Sequence, residues 1–238
     1  MASTARTEEQ CKEYFDAPDV FERKIDQLVA WVRASKHMIA FTGAGISTSA
    51  GIPDFRSGLN TVLETGAGAW TLRAAMAEDA SSALLKQNLA KQRALKVGTL
   101  NAIPTPTHMA LVELQKQGYL KFLISQNTDG LHRRSGFPPE HLAELHGNSN
   151  LEQCESCHKE YLRDFHCRAR NIGVHEHRTG RHCASCNGFL RDTIINFGES
   201  LPEKPLTEAF GNSDDADLCL AMGSSLTVLS HCCCDAYV

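Results

Sequence analysis

The chain has 238 residues, a length that allows one large domain with or without a small additional module. Apolar residues make up 42% and charged residues 22%, which is typical of a globular protein and excludes a disordered or fibrous chain. With 24 basic and 28 acidic side chains the net charge is −4, so no general nucleic-acid-binding surface is predicted. No apolar run approaches the ~20 residues of a membrane span, and the N-terminus lacks the apolar region of a secretory signal. We therefore expect an intracellular protein.

The N-terminal part of the chain predicts a helix, a strand and a glycine-containing turn. Apolar residues recur at helical spacing over residues 21–32, and residues 37–41 form a short apolar run typical of a buried strand. The strand leads into Gly43-Ala44-Gly45, which is two-thirds of a dinucleotide-binding fingerprint, with Thr48 where the third glycine would be. Glycines at such a turn let the backbone approach a pyrophosphate at a helix start. On this motif alone, an ordinary strand–helix turn is an equally good interpretation.

A second helix is predicted before residue 118. A threonine, either Thr105 or Thr107, caps its start, and Gly118 is suited to follow its end. Its inner face is expected to comprise Ala110, Leu111 and Leu114.

Further strands are predicted at residues 120–125, 193–197 and 217–222. Because strands alternate with helices, the fold class is α/β, a Rossmann-like parallel sheet with ligands at the carboxyl ends of its strands. A polar stretch rich in His and Cys interrupts this alternation and predicts an inserted module. The expected organisation is an N-terminal extension at 1–19, a Rossmann-like domain from 20–150 plus 192–238, and a small Cys₄ zinc-binding module at 151–191.

Four of the ten cysteines form two C-x-x-C pairs, the pattern of a structural zinc site. Since the surrounding stretch has little apolar material, a bound metal would take the place of a hydrophobic core. A redox dithiol is the competing interpretation, and His158, Cys167 and His182 are nearby substitutes for one ligand. The predicted metal ligands are Cys154, Cys157, Cys183 and Cys186.

Several short motifs follow one another in a specific order: 51–56 (GIPDFR), 126–132 (QNTDGLH), 145–147 (LHG), the two C-x-x-C pairs, 197–199 (FGE) and 223–226 (GSSL). This succession resembles the sirtuin family of NAD-dependent protein deacylases over about residues 20–228. Segments such as 68–72 (GAWTL), 106–111 (PTHMAL) and 190–194 (LRDTI) look most like the class IV, nuclear type.

The resemblance implies a reaction and the residues that perform it. In the family, the acyl-lysine carbonyl oxygen attacks the ribose of NAD, nicotinamide leaves, and a base activates the ribose 2′-hydroxyl. His146 matches this base, and its imidazole suits the role because its ordinary pKa lies near neutrality. Asn127 and Asp129 match residues that orient the ribose and hold the nicotinamide amide; a turn with Asx hydrogen bonds is the alternative. Thr128 departs from the Ile or Val that is usual in the family.

The resemblance also implies the lining of the NAD site. Arg56 would supply a fixed positive charge near phosphate and ribose, and Phe55 would cover the reacting ribose face. A surface arginine and a core phenylalanine are the alternatives, and Trp70 could equally serve packing because an insertion separates it from Arg56. The implied cofactor-binding residues are Gly43, Ala44, Gly45, Ser47, Thr48, Asp54, Phe55, Arg56, Trp70, Gln126, Asn127, Asp129, His146, Gly223, Ser224 and Ser225.

The expected function is NAD-dependent removal of acyl groups from protein lysines, with NAD as co-substrate and one structural zinc per chain. The alternatives are a protein mono-ADP-ribosyltransferase or a degenerate, non-catalytic chromatin- or NAD-binding protein. Expected partners are acylated proteins, histones and chromatin among them, without membrane or sequence-specific nucleic-acid binding. The resemblance implies the nucleus as location; the alternative is the cytoplasm.

The resemblance ends near residue 228, beyond which family members continue with segments that contact the adenosine. The last residues, 229–238, include three consecutive cysteines and look like an alternative end. Metal binding or lipid attachment at these cysteines is a further interpretation. We therefore expect weak NAD binding from the chain as written.

Overall fold

The computed structural model describes residues 14–55, 57, 67–79, 81–94, 100–169 and 173–226. Arg56, the side chain of Trp70, most of the N-terminal extension and the tail with its three cysteines lie outside the described residues. The helices are α1 Pro18–Ala34, α2 Ala69–Asp79, α3 Ala83–Ala94, α4 Pro106–Lys116, α5 Leu131–Arg134 and α6 Glu203–Asp214, with 3₁₀ turns at Ala44–Ala50 and Pro139–His141. The strands are β1 Met38–Thr42, β2 Leu120–Ser125, β3 Leu142–Glu144, β4 Leu151–Cys154, β5 Glu160–Leu162, β6 Arg178–His182, β7 Phe189–Asp192 and β8 Leu218–Met222.

The larger structural unit is a parallel sheet with the strand order β3-β2-β1-β8. All five residues of β1 are buried, as expected for a central parallel strand that is covered on both faces. Met38 and Ala40 pack on one face with Leu111 of α4, whereas Ile39 and Phe41 pack on the other face in the cluster that includes α6. This doubly wound arrangement confirms the predicted α/β class and brings the carboxyl ends of β1, β2 and β8 to one edge.

The smaller structural unit is an antiparallel sheet with the strand order β5-β4-β7-β6, formed between residues 151 and 192. Among its described residues, the buried apolar cluster comprises Cys154, Cys183 and Leu190, with Tyr161 packed against it. The predicted domain boundaries at 151 and 191 remain a prediction, although this sheet occupies nearly the same residues.

The strand predicted at residues 193–197 is wrong. The nearest strand, β7, ends at Asp192 and pairs within the small sheet, and residues 193–196 belong to no strand or helix. Their polar groups bond instead to the turn at 146–148: Thr193 Oγ1 donates to the Asn148 carbonyl at 3.1 Å, and the Ile195 amide donates to the His146 carbonyl at 3.1 Å. The apolar residues in 193–197 favoured a strand, but hydrogen bonds to the turn at 146–148 replace strand pairing there.

Helix α4 begins at a Thr105 cap, with His108 completing a capping box through its side chain. Gly118 follows the helix with a φ of +77°, as its predicted position requires. The predicted inner face is only partly correct: Leu111 is buried and Leu114 half-buried, whereas Ala110 is exposed. His108, a polar residue, is buried in its place.

Helix α1 forms where helical spacing predicted it, but none of its residues is buried. Phe21, Ile25 and Val29 remain exposed, and Val32 only touches the edge of the core. Among the described helices, none is long and apolar enough to cross a membrane.

Candidate functional site

Two loops at the carboxyl ends of β1 and β8 approach each other closely. The Gly43 amide donates to the Met222 carbonyl at 3.0 Å, and the Gly45 amide donates to the Gly223 carbonyl at 2.8 Å. A Cβ atom on Gly45 would lie 2.8 Å from the Gly223 Cα, and Gly223 itself has a φ of +63°. Only glycines allow this approach and the left-handed turn. The glycine pattern thus serves the packing of one loop on the other.

The carboxyl end of β2 places two polar side chains against the β1 loop. The Asn127 Nδ2 donates to the Gly43 carbonyl at 3.0 Å, and Ser47 Oγ donates to Asp129 Oδ2 at 2.7 Å. Asp129 Oδ1 also accepts the Leu131 amide at 2.9 Å, and both Asn127 and Asp129 are 7% exposed. These side chains are therefore fixed before any ligand arrives, which favours precise positioning.

His146 follows β3 and lies beside the β2 end. Its Nδ1 is 3.0 Å from the Gln126 carbonyl oxygen, which can only accept, so Nδ1 carries the proton. Burial lowers the pKa of His146 below the ordinary value of 6.5, with the Gln126 contact acting in the opposite direction. In the neutral form Nε2 is therefore the ring atom that can accept a proton, as a general base requires.

Gln126 supplies an independent indication of a ligand. Its amide nitrogen Nε2 is buried and has no hydrogen-bond partner among the described residues. A buried donor without a partner costs about 1–3 kcal/mol, so an acceptor atom of a bound ligand would stabilise this group. The hydroxyls and carbonyl of a bound nucleotide are acceptors of this kind, so the residues present fit NAD.

Six further predicted nucleotide-site residues that the structure describes follow β1 or β8 in the chain: Ala44, Thr48, Asp54, Phe55, Ser224 and Ser225. The Thr48 hydroxyl donates to the Gly45 carbonyl at 2.8 Å, and Ser224 Oγ accepts the Leu226 amide at 3.1 Å. Asp54 accepts the Ser57 amide at 2.9 Å, while Phe55 is 53% exposed. Ala44 opens the 3₁₀ turn, and Ser225 follows Ser224 in the β8 loop.

The four predicted metal ligands converge. The sulfur atoms of Cys154, Cys157, Cys183 and Cys186 all lie within 4.8 Å of one another, with closest pairs at 3.4 and 3.6 Å. A tetrahedral zinc with Zn–S distances of ~2.3 Å needs sulfur–sulfur separations of ~3.8 Å. The Tyr161 hydroxyl, 3.1 Å from the Cys183 sulfur, lowers the pKa of that thiol to about 5. The cluster therefore fits a zinc ion bound by thiolates, whereas the substitutes His158, Cys167 and His182 are not part of it.

Two buried histidines beneath the strand ends were not singled out from the sequence. His108 and His132 are 0% and 2% exposed, their ring centroids lie 4.7 Å apart, and His132 Nε2 is 2.9 Å from the Thr42 hydroxyl. Burial and, to a smaller extent, the neighbouring His108 together lower the pKa of His132 to about 3. Both rings are thus neutral scaffold groups under the site. The capping signal at Thr105 could have pointed to His108, but no local signal marks His132.

Together, a doubly wound sheet, glycine-containing loops with buried polar side chains at its carboxyl edge, and an inserted four-cysteine module define a Rossmann-like protein with a metal-binding insert. The Sir2 family profile matches residues 43–230. The chain belongs to the Sir2 family, the sirtuins.

Similar proteins agree with this assignment. The chain is 45% identical over 222 residues to NAD-dependent protein deacetylase SRT1 of Oryza sativa subsp. indica, covering 92% of this chain and 41% of that protein. It is 40% identical to human NAD-dependent protein deacetylase sirtuin-7, covering 94% of this chain and 50% of that protein. The chain therefore spans about half or less of the length of these curated relatives.

Solved structures of Sir2 proteins are also similar to this chain. A Sir2 homologue in complex with NAD matches with a TM-score of 0.56 and 27% identity, covering 94% of this chain and 79% of that one. Sir2Tm bound to a propionylated peptide matches with a TM-score of 0.54 and 29% identity, covering 87% of this chain and 78% of that one.

Proposed function

We propose that this protein is an NAD-dependent protein-lysine deacylase in which His146 is the general base. The observation that carries the proposal is the fixed tautomer of His146: the Gln126 carbonyl holds the proton on Nδ1 and leaves Nε2 as the acceptor. The pKa lowered by burial keeps the ring neutral at physiological pH. The names of relatives such as SRT1 and sirtuin-7 support the same activity.

The remaining roles are divided between the strand ends. NAD supplies the nicotinamide–ribose bond that is broken when it is bound. Asn127 and Asp129 orient the ribose and the nicotinamide amide, and Gln126 Nε2 donates to the nucleotide. The residues that line the rest of the NAD site in this proposal are Gly43, Ala44, Gly45, Ser47, Thr48, Asp54, Phe55, Arg56, Trp70, Gly223, Ser224 and Ser225.

The substrate side of the proposal is an acylated lysine in a protein. Sir2 structures bound to acetylated and propionylated peptides support this class. Similarity to sirtuin-7 further supports histones and chromatin as targets and the nucleus as location. One zinc per chain, held by Cys154, Cys157, Cys183 and Cys186, supports the fold rather than the chemistry.

The deciding experiment compares His146→Tyr with His141→Tyr, a control at the end of the preceding 3₁₀ turn. We expect the first substitution to lower the steady-state rate at which the deacetylated peptide forms by ~10²- to 10⁴-fold, the usual loss when a general base is removed. The control should keep near wild-type turnover, and both variants should retain zinc. Equal turnover in His146→Tyr and the wild type would assign the base elsewhere.

The mass of the products separates the possible reactions. Deacylation yields a deacylated peptide together with an O-acyl-ADP-ribose, whereas mono-ADP-ribosylation adds ADP-ribose to the protein acceptor. The absence of both products despite NAD binding would identify a binding protein without catalysis.

A further inference from the structure

The segment from 193 to 199 covers the turn that carries His146. The Ile195 amide donates to the His146 carbonyl at 3.1 Å, and Thr193 Oγ1 accepts the Asn148 amide at 3.0 Å. The approach at Gly147 is so close that a Cβ there would lie 1.8 Å from the Thr193 carbonyl oxygen. The backbone position of His146 is therefore coupled to this segment.

Just beyond Ile195 the chain closes into a tight turn around Glu199. The Asn196 amide donates to Glu199 Oε2 at 2.6 Å, and the Glu199 amide donates to the Asn196 carbonyl at 3.1 Å. The Asn196 side chain also donates to the Val174 carbonyl at 2.8 Å. The carboxylate of Glu199 thus organises the turn and faces the segment that precedes β6.

His177, in that preceding segment, lies between two carboxylates. Its Nδ1 is 3.1 Å from Asp192 Oδ1, and its Nε2 is 2.9 Å from Glu199 Oε1. An ionised carboxylate can only accept hydrogen bonds, and a neutral imidazole has a single N–H group. Both contacts are satisfied together only when His177 is an imidazolium. Side-chain exposures of 12%, 1% and 18% for His177, Asp192 and Glu199 keep this bridge out of bulk water.

We propose that His177 is a positioning residue: as an imidazolium bridging Asp192 and Glu199, it clamps the 195–199 segment against the His146 turn. The function of the clamp, though not its geometry, rests on the proposed deacylase activity. Through this clamp, a residue next to β6 of the four-cysteine module helps to hold His146, the proposed general base, in position.

The surroundings of His177 determine how the clamp responds to pH. Its facing charged groups are Asp192 of β7 and Glu199, and His175 shares Glu199 through an exposed contact at 2.7 Å. Arg168 reaches the same turn through Asn196 Oδ1 at 3.2 Å, while the neighbours Glu176 and Arg178 contact each other.

The two carboxylates outweigh desolvation and raise the pKa of His177 above 6.5. Because the folded-state pKa is raised, the clamp is complete below pH 6.5 and is lost as the pH rises through the raised value.

Amide hydrogen exchange tests the clamp directly, without relying on catalysis. In His177→Phe we expect the Ile195 and Asn196 amides to exchange at least about tenfold faster than in the wild type, because local opening becomes easier. The matched control is His175→Phe, which removes the exposed partner of Glu199 and should change exchange much less. His177→Lys keeps a cation with several donors and should restore protection.

A pH series on the unaltered protein avoids any folding defect of the variants. After correction for intrinsic exchange, protection of the Ile195 amide should fall as His177 loses its proton. NMR of the His177 ring monitors that protonation over the same pH series. In His177→Lys protection should stay constant over the same range. Protection that is independent of pH in the wild type, or an equal effect of His175→Phe and His177→Phe, would overturn the proposal.

Steady-state kinetics then connect the clamp to the site. His177→Phe should lower kcat more than it raises the KM for NAD, since the hydrogen bond that couples the clamp to the site reaches the turn of the proposed base. An unchanged kcat with faster exchange would overturn the positioning role. If the wild type shows no deacylation at all, the proposed function fails, and the exchange data still decide whether the clamp exists.

Discussion

The parallel sheet and the four-cysteine module are stabilised in different ways. The sheet buries Met38, Leu123 and Ile124 completely, in two apolar clusters on its two faces. The module has one small cluster, in which two of the three buried members are the predicted metal ligands Cys154 and Cys183. One chain thus combines a hydrophobic core with a unit that is too small and too polar to form one.

The four-cysteine module also contains a buried ion pair. The side chain of Glu152 is fully buried and accepts hydrogen bonds from Arg163 at 2.8 Å and Arg181 at 2.5 Å. Both guanidinium groups also lie over the Phe165 ring. A buried carboxylate is tolerated only when it is paired in this way, so the small module depends on this ion pair in addition to its apolar contacts.

Removal of the metal should have the largest effect and should separate the two regions. Structural zinc sites in small modules contribute apparent binding energies of ~10–16 kcal/mol at neutral pH. We expect about one zinc per chain, and we expect Cys154→Ser to abolish zinc binding and the exchange protection of β4–β7 while protection of β1 and β2 persists. The control Cys167→Ser alters a buried cysteine outside the cluster and should retain the metal. A folded, zinc-free wild-type protein would contradict the zinc site.

A substitution that creates a cavity tests whether the parallel sheet is stabilised by its hydrophobic core. Leu123→Ala removes a fully buried side chain from β2 and should lower the free energy of unfolding by about 2–5 kcal/mol, without loss of zinc. The control is Val29→Ala on α1, where the side chain is 41% exposed, and it should cost no more than about 0.5 kcal/mol. Denaturant unfolding measures both changes. If Val29→Ala lowered the free energy of unfolding as much as Leu123→Ala, the Val29 side chain would be buried in solution.

The buried ion pair of the module should give the smallest of these effects and a distinct pH dependence. Burial alone would raise the pKa of Glu152, but hydrogen bonds from Thr179 and the two arginines outweigh it and lower the pKa below 4.5. The stability from this group is therefore present above pH 4.5 and lost as the pH falls through the lowered value.

Glu152→Gln should cost about 1–3 kcal/mol at pH 7. The more exposed pair of Glu155 with Arg178 supplies the control, because Glu155→Gln should cost less than about 1 kcal/mol. Unfolding curves at pH 7 and at pH 4 measure both variants. An equal cost for both at pH 7 would show that the Glu152 pair is no stronger than a surface contact.

Much of the fold could be predicted because its signals are local. The apolar runs at 37–41, 120–125 and 217–222 predicted β1, β2 and β8 to within one or two residues, and Thr105 and Gly118 delimited α4. The strand at 193–197 was predicted wrongly, because apolar composition does not show whether a partner strand is available. The side-chain contacts of Thr193 with the 148 turn belong to the tertiary structure alone.

The sequence by itself determined the family, the four-cysteine pattern and the identity of the candidate base, since each depends on residue types at fixed spacing. Only the tertiary structure decided the tautomer of His146, the burial of the Gln126 amide away from any partner in the described part of the chain, and the contact of His108 with His132. It alone also brought His177 between Asp192 and Glu199. These features depend on groups that are separated in the sequence and are buried together only in the folded chain, where burial and hydrogen bonds set the protonation state.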